Sequence, residues 1–354
     1  MKRRVDRINS EQSLDSYRSK GRKSGLRIFL TVLSVVLSIV IVFCSVGYIY
    51  IKSLLSNIER VEVNEESIGV TSEAEKIYED YTNIALFGLD TREKDDEGRS
   101  DAIMIVSIDR VHGKIKLTSI ARDSYVEIER KGKVTHDKIT HAWMYGKHEL
   151  AIKTLNQNYQ LNITDFVSMN FYQFAEIIDY IGGVDIDVSR SEKNVMNEYY
   201  IPYLNSYGIK CDYITKTGMQ HLSGGQALAY SRNRYTGSDI DRGNRQREVI
   251  MAMYDQVKTL PVSKFPTLIK KVLAQCTTSM TDSEMLDLAT WAATAQPEFE
   301  QLGLPTELKT DMINGISYVV YDLDDAAIEI RNFIHETGNY APSKKENSST
   351  VSGN

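Results

Sequence analysis

The pattern of apolar and polar positions separates a short N-terminal part of the chain from a long mixed part. Residues 28–51 form a run of 24 residues without a charge, long enough to cross a bilayer as one helix. Basic residues precede this run and acidic residues follow it, so the positive-inside bias places the N-terminus in the cytoplasm and the remainder outside. A cleaved signal peptide is the alternative, but the run is too long and residues 45–47 are a poor cleavage site. We expect a cytoplasmic basic segment (1–27), a signal-anchor helix (28–51) and an extracellular stalk (52–77).

Beyond the stalk, the periodicity alternates between strand and helix types. Short apolar runs at 83–88 and 102–108 are typical of buried strands, and 114–120 is expected to form a hairpin with the second run. Further strands are predicted at 126–129, 184–188 and 316–321, and helices at about 138–159, 171–181, 223–231, 242–260, 281–295 and 326–333. Tyrosine-rich residues 190–217 are expected to be an irregular, mobile flap. The pattern predicts one α/β domain over residues 78–336, a central, mostly buried sheet with helices on both faces, followed by a disordered tail (337–354).

Charge is distributed unevenly along the 354 residues. The net charge is −6, but residues 1–52 carry ten Lys and Arg against three Asp and Glu, while the remainder carries 32 against 45. An acidic outer domain with one local arginine cluster favours a specific anionic ligand over a broad nucleic-acid surface. Three cysteines occur; Cys211 and Cys276 could pair outside the cell or remain free, since sequence does not give their geometry.

The arginine cluster lies in residues 232–247, where five arginines precede or enter an apolar helical pattern. Arg242, Gln246 and Val249 share one helical face, so the guanidinium groups lie at the N-terminal end of a core-facing stripe. Fixed cations at a helix N-terminus suit a phosphate or pyrophosphate. The alternative is a solvated charge run. Arg247 faces away from Arg242 and Gln246 and is expected to be ordinary surface.

Other charged residues stand where predicted strands and helices end: Asp90, Arg99, Asp101, Arg122, Asp123, Arg232 and Arg234. Ligands of open α/β sheets bind beyond strand ends, so these groups are candidates for a common site. The carboxylates of Asp90 and Asp101 could hold a hard cation such as Mg²⁺, with arginine forks on the remaining phosphate oxygens. Alternatively, strand-end aspartates and arginines only cap elements or form salt bridges.

Seven motifs occur in a defined order: RSD (99–101), SIARD (119–123), KITHA (138–142), GGVD (182–185), LSGGQAL (222–228), RNR (232–234) and DIDRGNRQ (239–246). Together with the strand ending at Asp90 and the single anchor, they resemble the LytR–CpsA–Psr family of bacterial cell-envelope proteins. The resemblance implies an α-β-α domain outside a Gram-positive-type cell membrane. It also implies a phosphotransferase that moves a glycopolymer, such as teichoic acid or capsular polysaccharide, from a polyprenyl pyrophosphate carrier to peptidoglycan.

The resemblance also assigns roles to matching residues. Asp90 and Asp101 would bind Mg²⁺, and the polyprenyl chain would lie in an apolar tunnel. The pyrophosphate would be contacted by Arg99, Arg122, Arg232, Arg234 and Gln246, with Arg242 and Arg245 bracing the pocket. Arg122, Asp123 and Arg234 are the expected catalytic residues, with Asp123 positioning or deprotonating the acceptor hydroxyl that attacks phosphorus.

The sequence departs from the family pattern at three positions. Ala121 replaces the usual proline, Thr140 a common asparagine, and Lys147 a frequent second glycine. None removes a charged site residue, but all three bear on the loops beside Arg122 and after His141. Two other functions stay open: a non-catalytic sensor or attenuator that binds polyprenyl pyrophosphates, and a lipid pyrophosphate hydrolase with water as the nucleophile.

Overall fold

The computed structural model describes residues 59–90, 98–261 and 264–337. The predicted cytoplasmic segment, the anchor and the tail from residue 338 lie outside these ranges. Within the described ranges, none of the helices combines the length and the apolar character that a membrane crossing requires.

The strands, in chain order, are β1 (Glu59–Arg60), β2 (Tyr81–Leu89), β3 (Ser100–Asp109), β4 (Lys114–Ile120), β5 (Tyr125–Arg130), β6 (Lys133–Lys138), β7 (Asp165–Asn170), β8 (Val184–Val188), β9 (Gly218–Leu222), β10 (Thr277–Thr278), β11 (Glu298–Leu304), β12 (Thr310–Ile313) and β13 (Ile316–Val319). The helices are α1 (Ser72–Ile77), α2 (Thr140–Tyr159), α3 (Phe171–Ile181), α4 (Arg190–Val195), α5 (Ile201–Ser206), α6 (Gly224–Arg232), α7 (Asp239–Thr259), α8 (Phe265–Leu273), α9 (Asp282–Ala295) and α10 (Leu323–His335), with a π-helical turn, Met196–Tyr200, between α4 and α5.

The central sheet is mixed and has the order β1-β10-β7-β2-β3-β4-β11. Three neighbouring pairs are parallel (β1 with β10, β7 with β2, β4 with β11), and the others are antiparallel. The pairs β5–β6, β8–β9 and β12–β13 form separate two-stranded sheets. The buried strands and hairpin predicted at β2, β3 and β4 are confirmed.

Both faces of the sheet are covered, as the uninterrupted apolar strands indicated. On β2, Ala85 and Phe87 belong to a core cluster with side chains of α2 and α10. Ile84 points to the opposite face, where it packs with Met280 and with Trp291 of α9. Because successive strand residues face opposite sides, both residue sets must be apolar when helices cover both faces.

The segment expected to be an irregular flap is largely helical over residues 190–206, so that prediction was wrong. Ser189 caps α4 through a reciprocal capping box with Glu192. Met196, Ile201 and Leu204 are buried in a second core cluster with α3, α6 and α7. Their spacing of three to five residues was the helical signal, but the high tyrosine content obscured it.

The domain also begins before the predicted boundary at residue 78. Strand β1 pairs with β10 in the central sheet, and Ile68 is fully buried in the core cluster of α2 and α10. The amide of Asn156 donates a hydrogen bond to the Ile68 carbonyl at 2.9 Å. Residues 59–77, predicted as stalk, therefore contribute to the folded core.

Strands β7, β10 and β11 were absent from the sequence prediction. β7 has the largest consequence, because it lies parallel to β2 and continues directly into α3. Its last residue, Asn170, is the N-cap of α3 and forms a capping box with Gln173. Phe171 is therefore joined to the sheet without a loop.

Helix α2 is kinked at Lys147, one of the three positions where the sequence departs from the family pattern. Gly146 has non-helical angles, and Lys147 has φ 54° and ψ −146°, a conformation that glycine adopts more easily.

Cys211 and Cys276 are buried free thiols, which excludes the disulfide alternative. Burial raises the pKa of each thiol to about 12, so both are protonated at neutral pH.

Candidate active site

Sheet topology brings the predicted strand-end residues to one edge. Strands β2, β7, β4 and β11 all end there, and antiparallel β3 begins there. The backbone N–H of Asp90 donates to the Arg99 carbonyl at 3.0 Å, next to the Leu89–Ser100 pair. Asp101 follows within β3, and Arg122 follows β4. The structure thus gathers residues that are up to 32 positions apart in this part of the sequence.

Two carboxylate–guanidinium pairs form at this edge. Arg122 donates from Nη1 to Oδ1 of Asp101 at 2.6 Å, and each side chain is 17% exposed. Arg232, at the end of α6, donates from Nη1 to Oδ1 of Asp90 at 3.3 Å. Both pairs remain reachable from solvent, so an anion can approach the arginines and a cation the carboxylates.

Asp123 lies between two cations. Nζ of Lys138 is 3.1 Å from its Oδ1, and Nε of Arg122 is 3.8 Å from the same atom. Thr140, which replaces the family's common asparagine, holds this loop: its N–H donates to the Arg122 carbonyl and its hydroxyl to the Ser100 carbonyl, at 3.1 and 2.9 Å.

The Arg232 guanidinium contacts two aromatic rings. Its central carbon is 4.1 Å from the ring centre of Phe171 and 5.6 Å from that of Tyr203. Both contacts are within the range of cation–π attraction. Phe171 is the first residue of the predicted helix α3, but β7 before it and α5, which carries Tyr203, were not predicted.

An apolar cavity of about 260 Å³ lies between the sheet and the helices α3, α6 and α7. Its lining includes Leu86, Met104, Phe174, Leu228, Ile250 and Met253. Phe171 and Gln246 also line it. Gln246 in addition lines a small polar pocket together with Asp101 and Arg242. The apolar cavity and the charged edge therefore meet at Gln246.

Arg242 and Arg245, in the first turns of α7, have different environments. Arg242 is buried and lines the polar pocket. Arg245 is also buried, but it binds Glu192 at 2.8 Å, the Asn233 carbonyl at 2.9 Å, and Thr236. Arg245 therefore fixes the loop after α6 to α4 and α7, which braces the pocket from outside.

Arg99 and Arg234 have exposed side chains. The backbone N–H of Arg234 donates to the Tyr200 hydroxyl at 2.9 Å, which ties its loop to the π-helical turn. Of the predicted site residues, the contacts above connect Asp90 with Arg232 and Asp101 with Arg122 and Asp123. Arg242 and Gln246 share a pocket with Asp101.

Arg247 was expected to be ordinary surface, and this was wrong. It is 6% exposed and donates to Gln301 at 3.2 Å, to Asn244 at 2.5 Å and to the Ser119 hydroxyl. Helix α7 packs on β4 and β11, and Arg247 lines the small pocket together with Arg242, so this side chain meets the sheet rather than water. The sequence could not show this because β11 was not predicted.

Sequence reasoning missed Lys138, Phe171 and Tyr203 as site neighbours. Lys138 lies in the KITHA motif (138–142), and this motif was the available sequence signal. Its position beside Asp123 is seen only in the structure. Phe171 and Tyr203 had no signal of their own, because their relation to Arg232 depends on β7 and on the helical course of residues 190–206.

An apolar cavity adjoins the arginine–carboxylate pairs at the edge of a mixed α/β sheet, an arrangement suited to an anionic group attached to an apolar chain. A sequence model of the LytR_cpsA_psr family matches residues 47–331. This chain therefore belongs to the LytR–CpsA–Psr family, as its motifs indicated.

Curated relatives carry transferase names. The polyisoprenyl-teichoic acid–peptidoglycan teichoic acid transferase TagT of Bacillus subtilis (strain 168) is 35% identical over 185 residues, which is 51% of this chain. The match spans only about half, 54%, of TagT itself. The transferase TagU of Bacillus licheniformis is 26% identical over 328 residues, covering 90% of this chain and 100% of TagU.

Solved structures share the fold. The crystal structure of B. subtilis TagT has a TM-score of 0.59 and 23% identity, covering 78% of this chain and 98% of TagT. A TagT structure with bound octaprenyl pyrophosphate lipid has a TM-score of 0.57 and 24% identity, covering 78% and 99%.

Proposed function

We propose that this protein is a phosphotransferase that moves a glycopolymer from a polyprenyl pyrophosphate carrier onto peptidoglycan, at the outer side of the cell membrane. The observation that carries the proposal is the junction at Gln246, where an apolar cavity meets a pocket lined by Asp101 and Arg242. The apolar lining suits a polyprenyl chain, and the arginine and carboxylate side chains at the junction suit a pyrophosphate and its cation. The names of TagT and TagU support the reaction class.

The arginines would bind and orient the pyrophosphate. Arg122 and Arg232 are held by Asp101 and Asp90, so their guanidinium groups are positioned before ligand arrives. Arg242 adds charge inside the pocket, and the exposed side chains of Arg99 and Arg234 are available at the rim. Phosphoryl transfer depends mainly on such positioning and on charge neutralisation.

Asp90 and Asp101 would hold Mg²⁺. Both are partly exposed, lie at the same sheet edge and use Oδ1 for an arginine contact, and carboxylate oxygens are the donors that Mg²⁺ prefers. When bound, the ion supplies charge neutralisation to the phosphate oxygens beside the arginines.

The transfer forms one P–O bond and breaks another. A peptidoglycan hydroxyl attacks the sugar-bearing phosphorus, and the bridging bond to the lipid-bearing phosphate breaks, releasing polyprenyl phosphate. Asp123 would orient the hydroxyl and accept its proton, since Lys138 and Arg122 fix its carboxylate at this edge.

The direct test uses the full chain in detergent with Mg²⁺, octaprenyl pyrophosphate bearing labelled N-acetylglucosamine, and peptidoglycan sacculi. We expect label to enter the sacculi, and Arg232→Ala and Asp101→Ala to lower the rate at least about a hundredfold. Arg110→Ala is the matched control, because Arg110 pairs with Asp287 at the opposite edge of the sheet. Its rate should equal that of the unmodified protein.

The same assay separates the two alternative functions. Release of free sugar phosphate with no label in the sacculi would identify a lipid pyrophosphate hydrolase. Tight binding of the labelled lipid without turnover would identify a sensor or attenuator. Either result overturns the transferase proposal.

A further inference from the structure

A row of tyrosines runs beside the arginine pairs, in the segment that the sequence presented only as a flap. Tyr199, Tyr203 and Tyr207 are four residues apart, which places them along one side of the helical segment 190–206 and its C-cap. Tyr235 joins them from the loop after α6. We call these four residues the tyrosine ridge.

The rings of the tyrosine ridge form two contacting pairs. The ring centres of Tyr199 and Tyr235 are 5.0 Å apart, and those of Tyr203 and Tyr207 are 4.7 Å apart. Tyr199 is nevertheless 48% exposed and Tyr235 66% exposed. Single exposed aromatic residues are common, but adjoining exposed rings form a surface that requires an explanation.

The tyrosine ridge adjoins the candidate active site at Arg232. The Arg232 guanidinium contacts the ring of Phe171, a cavity-lining residue, and the ring of Tyr203, a member of the ridge. A molecule whose pyrophosphate is bound at Arg232 and whose lipid passes Phe171 can therefore place its other substituent beside Tyr203. The π-helical turn that carries Tyr199 is a rare conformation, enriched at functional sites.

We infer that the tyrosine ridge is a glycan-binding subsite that holds the first sugars of the lipid-linked donor. The inference rests on the proposed function, because that function places a sugar on the pyrophosphate. Tyrosine faces pack against the apolar C–H faces of pyranose rings, and phenol hydroxyl groups bond to sugar hydroxyl groups.

Nearby charge favours a glycan over a membrane surface. The neighbouring carboxylate of Glu198 raises the pKa of Tyr199. An exposed carboxylate beside the rings opposes contact with anionic lipid headgroups. Arg232, which contacts Tyr203, is paired with Asp90, whereas Arg234, next to Tyr235 in the chain, has an exposed side chain that is available to the pyrophosphate.

Binding measurements on the full chain in phosphatidylcholine nanodiscs test this subsite. The probes are farnesyl pyrophosphate, farnesyl pyrophosphate bearing N-acetylglucosamine, and lipid-free chitotetraose. We expect the sugar to tighten binding of the farnesyl probe. Tyr199→Ala and Tyr235→Ala should each reduce that gain about fivefold while leaving farnesyl pyrophosphate affinity unchanged. Tyr235→Phe should retain most of the gain, because it keeps the ring.

Tyr180→Ala is the matched control. Tyr180 is also exposed, but it lies near the C-terminal end of α3, with its ring centre 3.6 Å from Nζ of Lys271. Its loss should change none of the three affinities.

The other outcomes are decisive in different ways. If the alanine variants weaken chitotetraose but not the sugar-bearing lipid, the tyrosine ridge binds the acceptor glycan and the donor assignment is wrong. If neither affinity changes, the subsite does not exist.

Protection of residues 196–207 from hydrogen exchange by added phosphatidylglycerol, without any glycan effect, would identify a membrane surface. Failure of the unmodified protein to bind farnesyl pyrophosphate would instead contradict the proposed function, while the chitotetraose arm still tests the ridge.

Discussion

The two ends of β3 carry similar charge and have opposite character. At the first end, Asp101 pairs with Arg122 at 2.6 Å. At the last end, Asp109 lies 3.5 Å from Nζ of Lys116 and 2.7 Å from Nδ1 of His112. The Asp101 side chain is 17% exposed and that of Asp109 only 1%.

The far cluster is centred on buried partners, although His112 and Glu336 at its rim are exposed. Lys116 is fully buried, donates to the Ile334 carbonyl at 2.6 Å and contacts Glu336 at 3.0 Å. Asp109, His112 and Glu336 are close enough together to hold a metal ion, but the fully buried Lys116 contacts both Asp109 and Glu336, whereas Arg122 and Arg232 at the near end are partly exposed and can turn towards an anion. At the near end, by contrast, the arginine–carboxylate pairs adjoin an apolar cavity. The adjacent apolar cavity therefore distinguishes the candidate site from the structural charge cluster, whereas charge density and solvent exposure do not.

The sharpest test of this comparison replaces one aspartate at each end of β3 by asparagine. Asp101→Asn keeps the shape but removes the charge that holds Arg122, so we expect transfer to fall about 10²- to 10³-fold. Because the pair is partly exposed, the free energy of unfolding should change by less than about 1 kcal/mol. Label transfer to sacculi and urea unfolding measure the two effects.

Asp109→Asn is its counterpart. We expect this variant to lose stability while each folded molecule keeps its transfer rate. Full activity in Asp101→Asn together with inactive, folded Asp109→Asn would reverse the comparison.

Removing the buried cation should produce the largest loss of stability. Lys116→Met leaves the Asp109 carboxylate and the Ile334 carbonyl buried without this partner, which should lower the free energy of unfolding by about 3–5 kcal/mol. Arg122→Met, at the exposed end, should cost less than about 1 kcal/mol. Urea unfolding of both variants checks the difference. The double variant Lys116→Met/Asp109→Asn should recover part of the loss; no recovery would show that the pair is not the cause.

A smaller loss of stability is expected beside Arg247, which is buried near the same edge of the sheet. A Cβ atom on Gly303 would lie 2.6 Å from Nη1 of Arg247, whose hydrogen bonds leave little freedom to move. Gly303→Ala should therefore lower stability by about 1–2 kcal/mol. Gly243→Ala in α7 is the control, since its nearest neighbour would be the Ser119 hydroxyl at 3.5 Å, an ordinary contact. It should be neutral or stabilising in thermal unfolding, and equal losses in the two variants would contradict this account.

The smallest effect concerns acid pH. Burial raises the pKa of Asp109, but hydrogen bonds from His112 and the charge of Lys116 outweigh it, so the pKa lies below its ordinary value of 3.8. A lowered pKa in the folded state means that the stabilisation is complete above the ordinary value and is lost as pH falls through the lowered pKa. Urea unfolding at pH 5 and pH 3 should show a weaker pH dependence in Asp109→Asn than in the unmodified protein. An unchanged dependence would exclude Asp109 as a contributor.

Local pattern was sufficient for most of the fold. The strands β2, β3 and β4 and the helices α2, α3, α6 and α9 follow from contiguous apolar runs and caps, and the helix predicted at 242–260 only begins earlier, at Asp239. Strand β11 escaped because its sequence, EFEQLGL, neither alternates strictly nor forms a continuous apolar run. Its pairing with β4 joins residues such as Lys114 and Glu300, which are 186 positions apart. No local pattern encodes such a pairing.

The candidate site was predictable to the same extent. Asp90, Asp101 and Arg122 could be grouped because each stands at the end of a recognisable strand. In the structure, Asp101 pairs with Arg122, and Asp90 pairs with Arg232. The environment of Arg232 could not be predicted, since Phe171 and Tyr203 depend on β7 and on the helix hidden in a tyrosine-rich segment. The roles of these residues in metal and pyrophosphate binding stay predictions.

The absence of a loop between β7 and α3 has an energetic consequence for the near end. Asn170 ends the strand and caps the helix, so few torsion angles separate the central sheet from the Phe171 ring that lies against Arg232. A guanidinium group held this way has little conformational entropy left to lose when an anion binds. Most of the ordering of this arginine is therefore completed when the domain folds, and the ligand meets a preorganised cation.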